Sequence, residues 1–211
     1  KVHFVEHYPY ASADFTSMVV KAKGVKPDLV IANSYLGDAL LITRQMNEQE
    51  LRPMAFAAGG GGFLQPDFLK GVGKLSEGIL AATDWVAAVG KAVPWIGKEN
   101  ERHIARFGVP MVEDDAWVYQ AFSIIVDALE RAKTTSSKEL RDAIAATHIT
   151  DINHKAMLKP YRELKFDETG QNPSASAMLV QIQDGKLRLV YPDQVAEPDA
   201  KVVWPYPMSK Q

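Results

Sequence analysis

The chain contains no cysteine among its 211 residues. Disulfides and thiolate metal sites are therefore excluded, and the composition is compatible with an oxidising compartment. There is no excess of either charge: 24 Lys and Arg stand against 26 Asp and Glu, a net charge of −2. No Lys/Arg stripe with interleaved aromatics occurs, so nucleic acid is not an expected partner. No apolar run reaches membrane-spanning length. Several chemical signatures are missing too. The sequence has no GxGxxG with a ribose-binding acid, no GxxxxGK[ST], no GxSxG and no HExxH. Phosphate cradles, a nucleophile elbow and a zinc-protease site are thus without support, and neither a catalytic residue nor a cofactor is expected. His3 and His7 are four apart, but His3 falls in an expected strand and no carboxylate cluster accompanies the pair. No metal site is expected.

What is present is a core-forming chain, with 46% hydrophobic residues. That is enough for one domain or two small ones. Val2 to Glu6 reads as a short strand. Phe15, Met18, Val19 and Ala22 then recur at helical spacing, with Ser12 or Asp14 as the cap. PDLVIAN is a continuous apolar run bounded by turn residues, the pattern of a strand buried on both faces. A helix over roughly Leu36 to Gln49 follows, then a strand at MAFAA, a short helix opened by Pro66, and a fourth strand at Glu77 to Ala82. Alternating strands and helices predict a parallel α/β layer.

After about Asp84 the pattern changes. WVAAVGKAVPWIG reads as a connector, and three helices follow it. The longest spans about Asp114 to Ala132, with apolar positions Trp117, Ala121, Phe122, Ile125, Ala128 and Leu129. The next opens on a capping box, Ser136 with Glu139. These helices have no sheet of their own, and their apolar faces are more naturally laid on one that this chain lacks. The tail is different again: Asp184-Gly185, flanked by alternating apolar residues, predicts a β-hairpin.

Four consecutive glycines, Gly59 to Gly62, come directly after the MAFAA strand. Glycine loses more conformational freedom on folding than any other residue, so the run calls for a reason. Two roles are open: a loop that needs unusual φ values, or a place where a ligand approaches the backbone closely. In open α/β sheets ligands sit beyond the carboxyl ends of the strands. Two such ends are Asn33-Ser34-Tyr35 and the glycine run. Peptide N–H groups without side chains, two hydroxyls and the Tyr35 ring would make a cradle for a small molecule carrying a carboxylate or similar group. Glu113, Asp114 and Asp115 complement a helix start. Trp117, in the first turn of the long helix, is either core or the aromatic wall of a cleft.

Four segments in order, YPYASADFTSMVVKAKGVKPDLVIANSYLGDALLITRQM, AAGGGGFLQPDFLKGVGKLSEGILAATDW, AWVYQAFSIIVDALERA and LKFDETGQNPSASAMLVQIQDGKLRLVYP, together resemble a known family. It is that of the bacterial extracellular solute-binding proteins of ABC transporters, branched-chain amino acid type, with the type I periplasmic binding fold. The resemblance covers nearly the whole chain, and the ordered set carries it, since no single motif is diagnostic. It implies an α/β fold of two lobes joined by three crossovers, with the ligand held between them. Residues 1–83 would be most of the second lobe, entered at its second strand. Residues 84–150 would be the helical part of the first lobe, and 151–211 the C-terminal strands and their return to the hinge. The chain is on this reading the carboxy-terminal part of a protein nearly twice as long, truncated at its amino terminus.

The resemblance also implies ligand contacts at matching positions: Ser34 and Tyr35 after one strand, Ala58, Gly59, Gly60 and Gly61 after the next, and Trp117 on the long helix. It implies a small-molecule solute and a membrane permease as partners. It places the protein in the periplasm or outside the cell, with a signal peptide in the absent part. The same fold also serves as the ligand-sensing domain of receptors and regulators. Family members that bind α-amino acids place an acid in the loop that is GGGG here, to pair with the ligand ammonium. This chain has none, with Asp38 a helical turn away, which points to an aromatic or aliphatic carboxylate or an amide instead. A buried ammonium without a counter-charge is costly.

Overall fold

The computed structural model describes residues 1–159 and 162–207. The chain divides into two compact units. Unit 1 is Lys1–Thr83 with Met178–Gln211, and unit 2 is Asp84–Ala177. The segment 151–177 therefore stays with the helices, and the hairpin that follows it rejoins the α/β layer.

Unit 1 is built on a five-stranded sheet. Its strands are β1 (Leu29–Asn33), β2 (Ala55–Gly59), β3 (Leu80–Thr83), β6 (Met178–Gln183) and β7 (Lys186–Tyr191), in the spatial order β1-β2-β3-β6-β7. β1, β2 and β3 run parallel, as the strand–helix alternation predicts, while β6 and β7 are antiparallel. The helices are α1 (Thr16–Gly24), α2 (Leu36–Glu48) and α3 (Pro66–Val72), the last with proline in its first turn. The Asp184-Gly185 hairpin forms as expected, with both residues at positive φ. Both of its peptide N–H groups donate to the Glu77 carboxylate, at 2.9 and 2.6 Å.

Two expectations fail in unit 1. Residues 1–9 form no strand, and Val2 and Val5 stay exposed. β1 is not buried on both faces. It is the edge of the sheet, and Ile31 is 71% exposed. Leu29 and Ile31 share one face of β1, and both stay exposed.

The core of unit 1 explains where the glycine run goes. After β2 the chain makes a short 3-10 turn over Gly61–Leu64. The Phe63 ring meets Phe56 of β2 and Phe68 of α3 edge-to-face, at centroid distances of 5.7 and 5.1 Å. Phe63 is fully buried, a contribution of about 1.5–3 kcal/mol relative to an exposed ring. The ring pins the loop to the sheet.

Unit 2 holds α4 (Pro94–Phe107), α5 (Glu113–Ala132), α6 (Ser137–Ala145) and a two-stranded ribbon of β4 (His148–Ile149) and β5 (Leu164–Lys165). The expected connector ends early, because Pro94 opens α4 in its first turn instead of breaking structure. Ser136 and Glu139 meet through their side chains, but the Ser136 side chain does not cap a backbone N–H of α6. The core packs Ile124, Ala156, Met157 and Leu164 together, with Trp95, Ile144, Ile149 and Phe166 against them. The stripe predicted for α5 is only partly the covered one. Ala116, Ile124 and Ala128 are buried, whereas Phe122 is 65% exposed and Val118, Ile125 and Val126 are open too. The apolar face that the sequence offers to a sheet is thus uncovered in this chain.

Candidate functional site

The parallel register sets Asn33 beside Gly59, so β1 and β2 end at one level. The loops beyond them are hydrogen-bonded to each other: Ser34 N–H donates to Gly59 O, and Gly62 N–H to Ser34 O, each at 3.2 Å. Ser34, Tyr35, Gly59, Gly60 and Gly61 are therefore brought together at the carboxyl edge of the sheet, where α2 begins. Ala58 lies one position earlier. It is buried within β2, so only its backbone is available to a ligand.

The two hydroxyls differ. Ser34 is 5% exposed, and its Oγ lies 2.6 Å from Tyr8 Oη, which itself donates to Asn33 O at 2.8 Å. With the phenol proton used on Asn33, the serine proton is directed at Tyr8, and Ser34 serves to hold the loop. Tyr35 is exposed, and its ring meets Tyr10 edge-to-face at 5.6 Å. Tyr8 and Tyr10 touch these candidate residues, and the sequence did not single them out. The available signal was the aromatic–Pro–aromatic triplet YPY just before the first helix.

The glycines are not equivalent. Gly60 has φ 72° and ψ 152°, a conformation reserved for glycine. A Cβ on Gly62 would stand 2.4 Å from Tyr35 C and 2.5 Å from Ser34 O. Gly61 has open space, with Gln65 Nε2 the nearest atom at 4.0 Å. Gly60 is exposed and Gly61 half-buried, so their peptides can be approached from solvent. Residues 58–62 contribute no acid. The nearest in sequence, Asp38 in the first turn of α2, is only 3% exposed. Its charge complements the helix dipole there.

Trp117 belongs to unit 2. It lies in the first two turns of α5 and is 47% exposed, with its indole N–H donated to Asp84 Oδ1 at 2.7 Å. Asp84 Oδ2 faces Lys159 Nζ at 2.5 Å, and Lys159 is buried. Burial pushes the Asp84 carboxyl up, but hydrogen bonds with Glu113, Lys159 and Trp117 outweigh it and hold the group below its ordinary range. Among the described residues no cluster of His, Asp or Glu is arranged to hold a metal ion, and no helix is long and apolar enough to cross a membrane.

Three parallel strands with hydrogen-bonded loops at their carboxyl edge are the place where ligands sit in open α/β folds. The chain belongs to the periplasmic binding protein family, whose description matches residues 2–186. It is 31% identical over 196 residues to a Leu/Ile/Val-binding protein homolog of Brucella melitensis, covering 90% of this chain and 48% of that one. A second homolog, from Brucella abortus, is 30% identical over 192 residues, covering 90% of this chain and 47% of that one. The chain spans about half the length of the curated relatives it matches. Among solved structures, a leucine-binding protein of Thermotoga maritima superposes with a TM-score of 0.73 at 22% identity, over 87% of this chain and 49% of that one. A solute-binding protein of an ABC transporter from Rhodopseudomonas palustris, solved with benzoate, does so with a TM-score of 0.65 at 19% identity, over 86% and 47%. At these identities the likeness establishes the type I periplasmic binding fold.

Proposed function

We propose that the intact protein is the extracellular solute-binding component of an ABC importer, and that its solute is a small aromatic or aliphatic carboxylate or amide without an α-amine. It works outside the cytoplasmic membrane and hands the solute to a membrane permease. It is a binding protein and not an enzyme. The observation that carries the solute class is the loop at Gly59–Gly62. Its open peptides suit an anion or a carbonyl oxygen, and neither it nor Ser34-Tyr35 presents an acid to an ammonium group. Tyr35 supplies an apolar wall with a hydroxyl at its tip. The indole of Trp117 is a further candidate contact. The relatives named for leucine, isoleucine and valine and the neighbour holding benzoate span the two solute classes. Affinity would come from burying the solute, with a few placed hydrogen bonds fixing its orientation.

Calorimetric titration of the intact protein with leucine and with benzoate tests this reading. Binding of benzoate and not of leucine is expected. Tight leucine binding would overturn the solute class. Asp38→Asn would then show whether that buried carboxylate is the counter-charge.

A further inference from the structure

Four groups converge on one point of unit 2. Asp84 is its first residue, where the chain arrives from β3. The Asp84 N–H donates to Glu113 Oε1 at 2.8 Å, its Oδ1 accepts the Trp117 indole N–H at 2.7 Å, and its Oδ2 faces Lys159 Nζ at 2.5 Å. The Lys159 ammonium also lies 5.3 Å from the centre of the Trp117 ring. Its backbone N–H donates to Gln120 Oε1 at 3.0 Å, one turn along α5. The adjacent pair repeats the tie, since Trp85 Nε1–H donates to Leu158 O at 3.1 Å.

This is an expensive way to fix a junction. The side chain of Lys159 is 9% exposed and that of Asp84 32%, and an ion pair with a buried member carries a desolvation cost that apolar residues of similar volume avoid. What an ion pair supplies and an apolar cluster does not is direction. The indole has one N–H, and a carboxylate anchored from its far side by an ammonium gives that N–H a single acceptor in a single place. The cation over the ring then restricts its tilt. The outcome is a half-exposed tryptophan held by its polar edge.

We infer that Asp84 and Lys159 are positioning residues for Trp117: the pair fixes the indole in the orientation in which it meets the solute. The inference rests on the reading that Trp117 is a solute contact, and the two can be separated experimentally. The indole ¹H–¹⁵N resonance of Trp117, assigned by its loss in Trp117→Phe, reports the hydrogen bond in the intact protein without any ligand. Benzoate affinity reports the contact.

Asp84→Ala removes the acceptor and should move this resonance upfield, with a roughly tenfold loss of benzoate affinity, as expected for one charge-assisted hydrogen bond. Lys159→Met should do the same more weakly, and Lys159→Arg should restore both readouts. The Asp84→Ala, Lys159→Met double variant should lose no more affinity than Asp84→Ala alone, because the two act through one ring. If Asp84→Ala unfolds the protein, Lys159→Met and its rescue by arginine still decide. An indole resonance unmoved in the folded variants overturns the inference. So does a moved resonance with unchanged benzoate affinity while Trp117→Ala weakens binding. If Trp117→Ala leaves benzoate affinity intact, or benzoate does not bind the parent protein at all, the contact reading falls. The resonance then still decides whether the pair holds the ring.

Discussion

Replacing the glycines after β2 by alanine one at a time should separate structure from function within four residues. At Gly62 the new Cβ would stand 2.4 Å from Tyr35 C, 2.5 Å from Ser34 O and 2.7 Å from Leu36 N. All three are backbone atoms at the start of α2 and cannot rotate away. Overpacking of this kind costs about 1–3 kcal/mol and occasionally more. The shift also breaks the Gly62 N–H to Ser34 O bond, about 1 kcal/mol further. Gly62→Ala should therefore cost about 2–4 kcal/mol. At Gly60 the close atom is Asn33 Oδ1 at 2.5 Å, the end of a side chain that can turn aside. The backbone strain remains, at about 1–3 kcal/mol. At Gly61 nothing is closer than 4.0 Å. Alanine there loses less entropy on folding and should be neutral or stabilising by about 0.4–1 kcal/mol. Urea unfolding of the intact protein reads these differences. With a slope of about 1–3 kcal/mol/M, Gly62→Ala lowers the midpoint by about 1 M or more, and Gly61→Ala leaves it level or higher. Gly61→Ala should nevertheless weaken benzoate binding, because its methyl group enters the open side of the loop. A Gly61→Ala protein as unstable as Gly62→Ala would refute the argument, since the loop would then not have the shape described.

The remaining predictions concern charge and the open faces. Glu163 accepts from Lys165 at 2.7 Å, His148 at 2.9 Å and Ser174 at 3.1 Å. These bonds, that of Lys165 foremost, lower its pKa to about 2. A depressed carboxyl stabilises the fold above its unfolded pKa of about 4.5, and that stability is lost as pH falls toward about 2. Glu163→Gln should flatten the acid limb of a stability–pH curve for unit 2 in this window, and an unchanged limb would show that the bonds do not persist in solution. Ile31→Lys on β1 should leave the midpoint of the 211-residue chain within about 0.5 kcal/mol and reduce its self-association in sedimentation, because an exposed apolar edge strand templates pairing. Unchanged association would place the sticky surface elsewhere, with Phe122 of α5 the next position to test.

The parts legible in the sequence share a property: their signal is local. The parallel strands, the Asp184-Gly185 hairpin and the proline opening α3 are each set by residues within a few positions of one another. The glycine run was legible as a question, and the structure answers the part of it that concerns backbone shape. Gly60 and Gly62 meet the demand for unusual backbone and close approach, while Gly61 is open. Where the reading failed, the deciding partner was distant or not among the described residues. Val2 to Glu6 has the composition of a strand but pairs with none of the described strands, and PDLVIAN reads as interior yet forms an edge. The stripe on α5 is apolar on a face that the described residues cover only in part. Such segments are written for neighbours, and composition records the intended burial and not the burial attained. The same logic limits the site. Tyr8 and Asp84 are unremarkable in sequence because their meaning lies in contacts 26 and 33 positions away, with Ser34 and Trp117. A ligand shell assembled from strand ends is by construction long-range, so the positions that touch a solute can be guessed from strand–loop grammar. The residues that hold them in place emerge only once the chain has folded.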